Sequence, residues 1–264
     1  MVILIAYTTV YSMQCILPAV ANGGKELMKT KALILGCSHA AGAQMHTGDE
    51  CTIRDPIKQV IWEAENSYPV QLASMLGYVP LNHSLSGGSN DAMFRICTEQ
   101  IQNVDIVIAC WTGWDRTELW HTEHGEWFNL NYSNEVIYKR KTYGGLLEGQ
   151  TIPTLVDNNK EYHAYGKQWL IYEGGNEKSR LNKIKNVLAL NALAKQHGIE
   201  VLNFDSFQGI YDFKWPGDVY RPVPNQAEEF CSWCFDKGFA TEGTGHFFLD
   251  AHTAYAKYLV DICK

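Results

Sequence analysis

Short apolar runs alternate with stretches of helical period along most of this chain. Ala32-Leu33-Ile34-Leu35 is a continuous apolar run stopped by Gly36, the pattern of a strand buried on both faces. Ser67-Tyr68-Pro69 predicts a helix start, with Ser as cap, Pro in the first turn, then Val70, Leu72, Met75 and Leu76 before Gly77. Tyr78–Asn82 is a second strand. Ser89-Asn90-Asp91 caps a helix whose inner face is Met93, Ile96, Cys97 and Ile101. Residues 105–111 (Asp-Ile-Val-Ile-Ala-Cys-Trp) are the clearest strand of all. A long helix from Glu177 to His197 should turn Leu181, Ile184, Val187, Leu188 and Ala192 inward and stop at Gly198. Glu200–Phe204 is a fourth strand, and Ala251–Ile262 a closing helix. Residues 116–175 carry many aromatics and no sustained period, so they read as an insertion of undefined structure.

Apolar strands alternating with helices predict an α/β fold: a three-layer α/β/α sandwich with a central parallel sheet, flavodoxin-like in kind. In such sheets ligands sit beyond the carboxyl ends of the strands. Attention therefore falls on Cys37-Ser38-His39, Ser84–Asn90, Thr112–Arg116 and Asp205-Ser206.

With 264 residues, 46% hydrophobic and 19% charged, the chain suits one packed domain. A net charge of -7 argues against nucleic acid as a general partner. Several of the eight cysteines lie in apolar stretches, where a thiol behaves as a small hydrophobe; this favours a reducing compartment over a disulfide framework. Cys231-Ser-Trp-Cys234 could be half a zinc site or a redox pair, but no second CxxC supplies the other ligands, so no metal and no cofactor are expected.

The first 21 residues are apolar-rich and end in Ala19-Val20-Ala21, like a signal-peptidase site, yet the first Lys is Lys25. Thr8, Thr9, Ser12 and Gln14 interrupt the run, which disfavours a membrane span. The favoured reading is a start at Met28, with residues 1–27 a leader or extension and 28–264 the domain. The expected location is then cytoplasmic or virion-associated.

Gly36-Cys37-Ser38-His39-Ala40-Ala41-Gly42 follows the first strand directly. A serine at a strand-to-helix turn faces the cleft, although it could also merely cap the helix. The spacing G-x-S-x-x-x-G resembles the first block of the SGNH/GDSL hydrolase family. Three further stretches resemble its later blocks in order. Asn82–Asn90 contains Gly87, where the resemblance implies a backbone N–H for an oxyanion hole. Trp111-Thr112-Gly113-Trp114-Asp115-Arg116 aligns Asp115 but replaces the family Asn with Trp114, leaving Thr112 or Asn90 as substitute donor. Gly245-His246 and His252 reproduce the family spacing of a catalytic and a structural histidine. The family Asp three residues before His246 is Gly243; Glu242 or Asp236 could orient the imidazole, or the site is a Ser–His dyad. The Trp-Thr start, the later Arg, and Gly88–Asp91 followed by Phe94-Arg95 are similar to SGNH-like proteins of bacteriophages.

The resemblance implies a serine esterase with Ser38 as nucleophile and His246 as base. Its substrate would be a small acyl ester, an O-acetyl group on a glycan being one candidate, with aromatics of 111–133 on the sugar side. Two other readings stay open. One is an inactive module serving as a phage structural or glycan-binding protein. The other is a phosphate-ligand binder using Gly36–Gly42, although no Walker-type Lys follows.

Overall fold

The computed structural model describes residues 30–45, 56–114, 116–121, 126–131, 136–141, 152–155, 176–207, 213, 227–241 and 245–263. The proposed leader 1–27, Asp115 and Glu242 lie outside the described residues. The first strand, β1 (Lys31–Gly36), leads into a single helical turn, α1 (Ser38–Ala41). Helices α2 (Pro56–Asn66) and α3 (Tyr68–Met75) precede β2 (Val79–Asn82). Helix α4 (Asn90–Gln100) precedes β3 (Ile106–Trp111). Beyond residue 155 come α5 (Asn176–Gln196), β8 (Glu200–Asp205), α6 (Phe230–Asp236) and α7 (Leu249–Cys263).

The central sheet has the order β2-β1-β3-β8 and every pairing is parallel. Alternate side chains of each strand leave on opposite faces, and both faces are apolar. Ala32, Ile34, Ile106, Ile108 and Phe204 pack with α3, α6 and α7 through Tyr68, Leu72, Phe230, Trp233 and Tyr255. Leu33, Leu35, Val107, Ala109 and Trp111 pack with α4 and α5 through Met93, Ile96, Val187 and Leu190. The result is a three-layer α/β/α sandwich, as the alternation of runs predicts. None of the described helices is long and apolar enough to cross a membrane.

The unreadable stretch contains a second sheet. Strands β4 (Arg116–His121), β5 (Glu126–Asn131), β6 (Val136–Lys141) and β7 (Ile152–Leu155) form an antiparallel meander. It is tied to α4 by ion pairing: Arg95 Nε and Nη2 donate to the two Glu118 oxygens at 2.8 and 3.1 Å. Asp91 accepts from Thr117 Oγ1 at 2.6 Å and from Asn182 and Asn186 of α5, so one carboxylate joins α4, β4 and α5.

Two sequence expectations need correction. Ser67 stands at the N-cap of α3 but makes no side-chain cap bond; its hydroxyl donates back to Ala64 O at 3.2 Å, because α2 ends immediately before it. On α5, Leu181 is 52% exposed and Ala192 is exposed too. Ile184 and Val187 do face inward as expected, and the rest of the inner face runs through Lys183, Leu190, Asn191 and Ala194. Polar residues can occupy it because each is paired: Lys183 Nζ meets Asp205 at 2.7 Å, and Asn191 exchanges hydrogen bonds with Asn203.

Candidate active site at the carboxyl edge of the sheet

Strands β1, β2, β3 and β8 all point their carboxyl ends to one edge, with Gly36 beside Cys110 and Trp111 beside Asp205. Ser38 lies on that edge, as the first residue of α1, and is 6% exposed. The cap position belongs to Cys37, which has extended backbone and makes no side-chain cap bond. Ser38 is therefore not the helix cap.

The glycines of the G-x-S-x-x-x-G spacing have steric causes. A Cβ on Gly36 would stand 2.4 Å from Ala40 Cβ, so α1 can fold back onto β1 only over a bare backbone. Gly42 ends α1 at φ 73°, and a Cβ there would stand 2.2 Å from the Glu63 carbonyl oxygen on α2. The pair clamps the serine turn between strand and second helix.

The loop after β2 is drawn to the same place. The Asn82 side chain is buried; its amide nitrogen donates to Ala40 O, Ala64 O and Ser67 Oγ at 3.1–3.3 Å, and its oxygen accepts from Ser84 N at 3.0 Å. Leu85 N then donates to Gly36 O at 2.9 Å. The Leu85–Gly88 turn closes through Gly88 N to Leu85 O at 2.7 Å, with Gly87 at φ 72° in its third position. Gly87 thus stands in a turn seated against the serine turn.

Asn90 and Thr112 are brought together, in different roles. Asn90 Oδ1 accepts from Thr112 N at 3.1 Å, while its Nδ2 donates to Thr112 O and Gly113 O at 3.3 and 3.2 Å. Its amide is consumed in holding the end of β3, which removes Asn90 as an oxyanion donor. Thr112 Oγ1 is buried without a hydrogen-bond partner, as is Ser84 Oγ. Of the two substitutes for the family Asn, Thr112 keeps an uncommitted donor.

His246 enters from the loop before α7, which is pinned by the Thr241–Phe247 bridge and by Phe247 packing on Phe230 at 5.5 Å between ring centroids. Its ring centroid is 4.9 Å from that of His39, the residue after Ser38. Burial, helped by the Arg116 charge, lowers the His246 pKa to about 4. His252 is 1% exposed; its Nδ1 accepts from Tyr68 N at 3.2 Å, and burial followed by His246 lowers its pKa to about 3. His252 therefore braces α7 against α3. Asp236 ends α6 in an exposed position, unsuited to orienting a buried imidazole.

Two residues inside the blocks, His39 and Arg116, make contacts that the blocks do not announce. His39 is 9% exposed; its Nε2 faces Cys231 Sγ at 3.5 Å and its Nδ1 is buried without a partner. Burial, then His246, His252 and Arg116, pull its pKa well below the usual imidazole value. Arg116 opens β4 and holds its guanidinium carbon 5.0 Å from the Phe207 ring centroid; that ring stands edge-on to His39 at 5.6 Å. The signal for His39 was its adjacency to Ser38. For Arg116 it was only a basic residue shortly after a strand. Cys231 and Cys234 have their thiols pushed up by burial, and Cys234 sits in the core, so neither is poised as a reactive thiolate.

No protein-family model and no curated protein matches this sequence. Two solved structures are similar in shape. One is a protein assigned to the lipolytic G-D-S-L family from Desulfitobacterium hafniense, with 10% identity and a TM-score of 0.32 over 89% of this chain and 99% of that one. The other is an acetyl xylan esterase from the rumen bacterium Butyrivibrio proteoclasticus, with 13% identity and a TM-score of 0.35 over 88% of this chain and 63% of that one. Likenesses this distant say nothing about activity.

Proposed function

We propose that this chain is a serine ester hydrolase of the SGNH type. The observations that support it most are the Leu85–Gly88 turn hydrogen-bonded to Gly36 just before Ser38, and the His246 ring 4.9 Å from that of His39 just after it. The imidazole takes the Ser38 proton and the alkoxide adds to the ester carbonyl, giving a tetrahedral oxyanion. Backbone N–H groups of Ser38 and Gly87 and the Thr112 hydroxyl receive that charge. The imidazolium protonates the departing alcohol, leaving an acyl-Ser38. Water, deprotonated by the same imidazole, releases the acid and restores the serine.

The substrate class is a small acyl ester, an O-acetylated glycan being a fitting example. Trp120, half exposed and edge-on to Trp127 with ring centroids 5.3 Å apart, offers a sugar-stacking surface on the second sheet. The test is p-nitrophenyl acetate turnover by the native chain, Ser38→Ala and His246→Ala. Turnover in the native chain alone supports the reading; equal turnover in Ser38→Ala refutes it.

A further inference from the structure

Among the described residues, Arg116 meets an aromatic ring and no carboxylate. Its Nε and Nη1 are buried and have no hydrogen-bond partner. Among the described residues, Arg95 is matched with Glu118 and Glu99, and Lys183 with Asp205. A guanidinium stripped of water on two nitrogens and left unpaired is costly, and a fold keeps such a group when something else completes it.

Its surroundings say where the missing partner sits. The guanidinium lies over Phe207, which contacts His39, which in turn contacts His246. The nearby imidazoles are neutral at ordinary pH, and the Arg116 charge adds to the burial that keeps them so. Among the described residues, Arg116 Nε and Nη1, Thr112 Oγ1 and Ser84 Oγ are thus buried polar atoms without a hydrogen-bond partner.

We propose that Arg116 is the receptor for a carboxylate carried by the ester substrate, so that the site selects acidic esters over neutral ones. This rests on the esterase reading and narrows it. Guanidinium N–H groups are the natural receivers of a carboxylate, and the bond is strengthened where water is excluded. Because Arg116 is linked to His246 through the rings of Phe207 and His39, the carboxylate and the scissile ester belong to one compact unit. An O-acetylated acidic sugar has that shape.

The test uses a matched pair, 4-acetoxybenzoate and its methyl ester, which share the acetyl group and differ in charge. The native chain is expected to favour the acid by about tenfold or more in kcat/KM, and Arg116→Gln to lose that ratio, with partial recovery in Arg116→Lys. Equal kcat/KM for the two probes in the native chain, or an unchanged ratio in Arg116→Gln, overturns the proposal. A second readout does not need turnover: calorimetric binding of 4-hydroxybenzoate to Ser38→Ala should weaken by about tenfold or more when Arg116→Gln is added. Binding indifferent to Arg116 also overturns the proposal. If neither ester is hydrolysed while binding still depends on Arg116, the esterase reading fails and the anion site stands.

Discussion

At the scale of single residues, the account turns on which polar groups are committed and which are not. Asn90 and His252 look like site residues by spacing, but the Asn90 amide and His252 Nδ1 are bonded to backbone partners. Thr112 is not spent in this way. Thr112→Val should therefore lower kcat by about 10-fold or more with little change in KM, since an oxyanion donor acts in the transition state. An unchanged kcat would remove Thr112 from the site. The histidines carry a pH prediction. His246 and His252 have folded pKa values of about 4 and 3, below the ordinary 6.5. Between those values the unfolded chain binds more protons than the folded one. Their contribution to stability is thus fully present above pH 6.5, falls as pH drops, and is lost below the folded values. The acid limb of kcat/KM should likewise lie near pH 4, where His246 gains its proton. A melting temperature flat from pH 7 to pH 5, or an acid limb near the ordinary 6.5, would contradict this.

At the scale of elements, the serine turn is positioned by what its neighbours lack. Gly36 lets α1 lie on β1, and Gly42 lets it meet α2. Gly42→Ala should cost roughly 1–2 kcal/mol for the left-handed backbone alone, and more from the Glu63 carbonyl contact, measured by urea unfolding. A loss below about 0.5 kcal/mol would mean that α1 and α2 can part freely. Strands β1 and β3 were legible because both faces of the sheet are covered and, after Lys31, every residue in them is apolar or glycine. Helix α5 was legible in extent but not in facing: its inner stripe carries Lys183, Asn186 and Asn191, which hydropathy assigns to solvent. Their partners, Asp205, Asp91 and Asn203, are far away in sequence, so no local pattern could announce them. Asp205→Asn should test this, since leaving Lys183 buried without its anion costs about 3 kcal/mol or more. A stability equal to the native chain would mean that Lys183 reaches water.

At the scale of the whole molecule, a parallel sandwich carries the serine turn, and an antiparallel meander is attached at α4. The sandwich could be read from the alternation of apolar runs and helical periods. The meander could not, because its strands are rich in aromatics and charges and follow neither period cleanly. Ser38, Gly87 and His246 could be named as candidates because their blocks stand next to readable elements, β1, α4 and α7. The stretches holding Arg116 and His39 could be named too, but not their contacts, which depend on Phe207 and His246 arriving from distant parts of the chain. The domain is proposed to begin near β1. A chain starting at Met28 is expected to melt within a degree or two of the full one; collapse of that shorter protein would show that residues 1–27 belong to the core.

The most direct measurement is covalent labelling with a fluorophosphonate, mapped by mass spectrometry. Such a probe reacts with a serine only where a base removes its proton and an oxyanion site receives the charge. The account predicts a single adduct on Ser38 in the native chain, and its loss in His246→Ala. No adduct, an adduct on another serine, or labelling of Ser38 that survives the loss of His246 would contradict it.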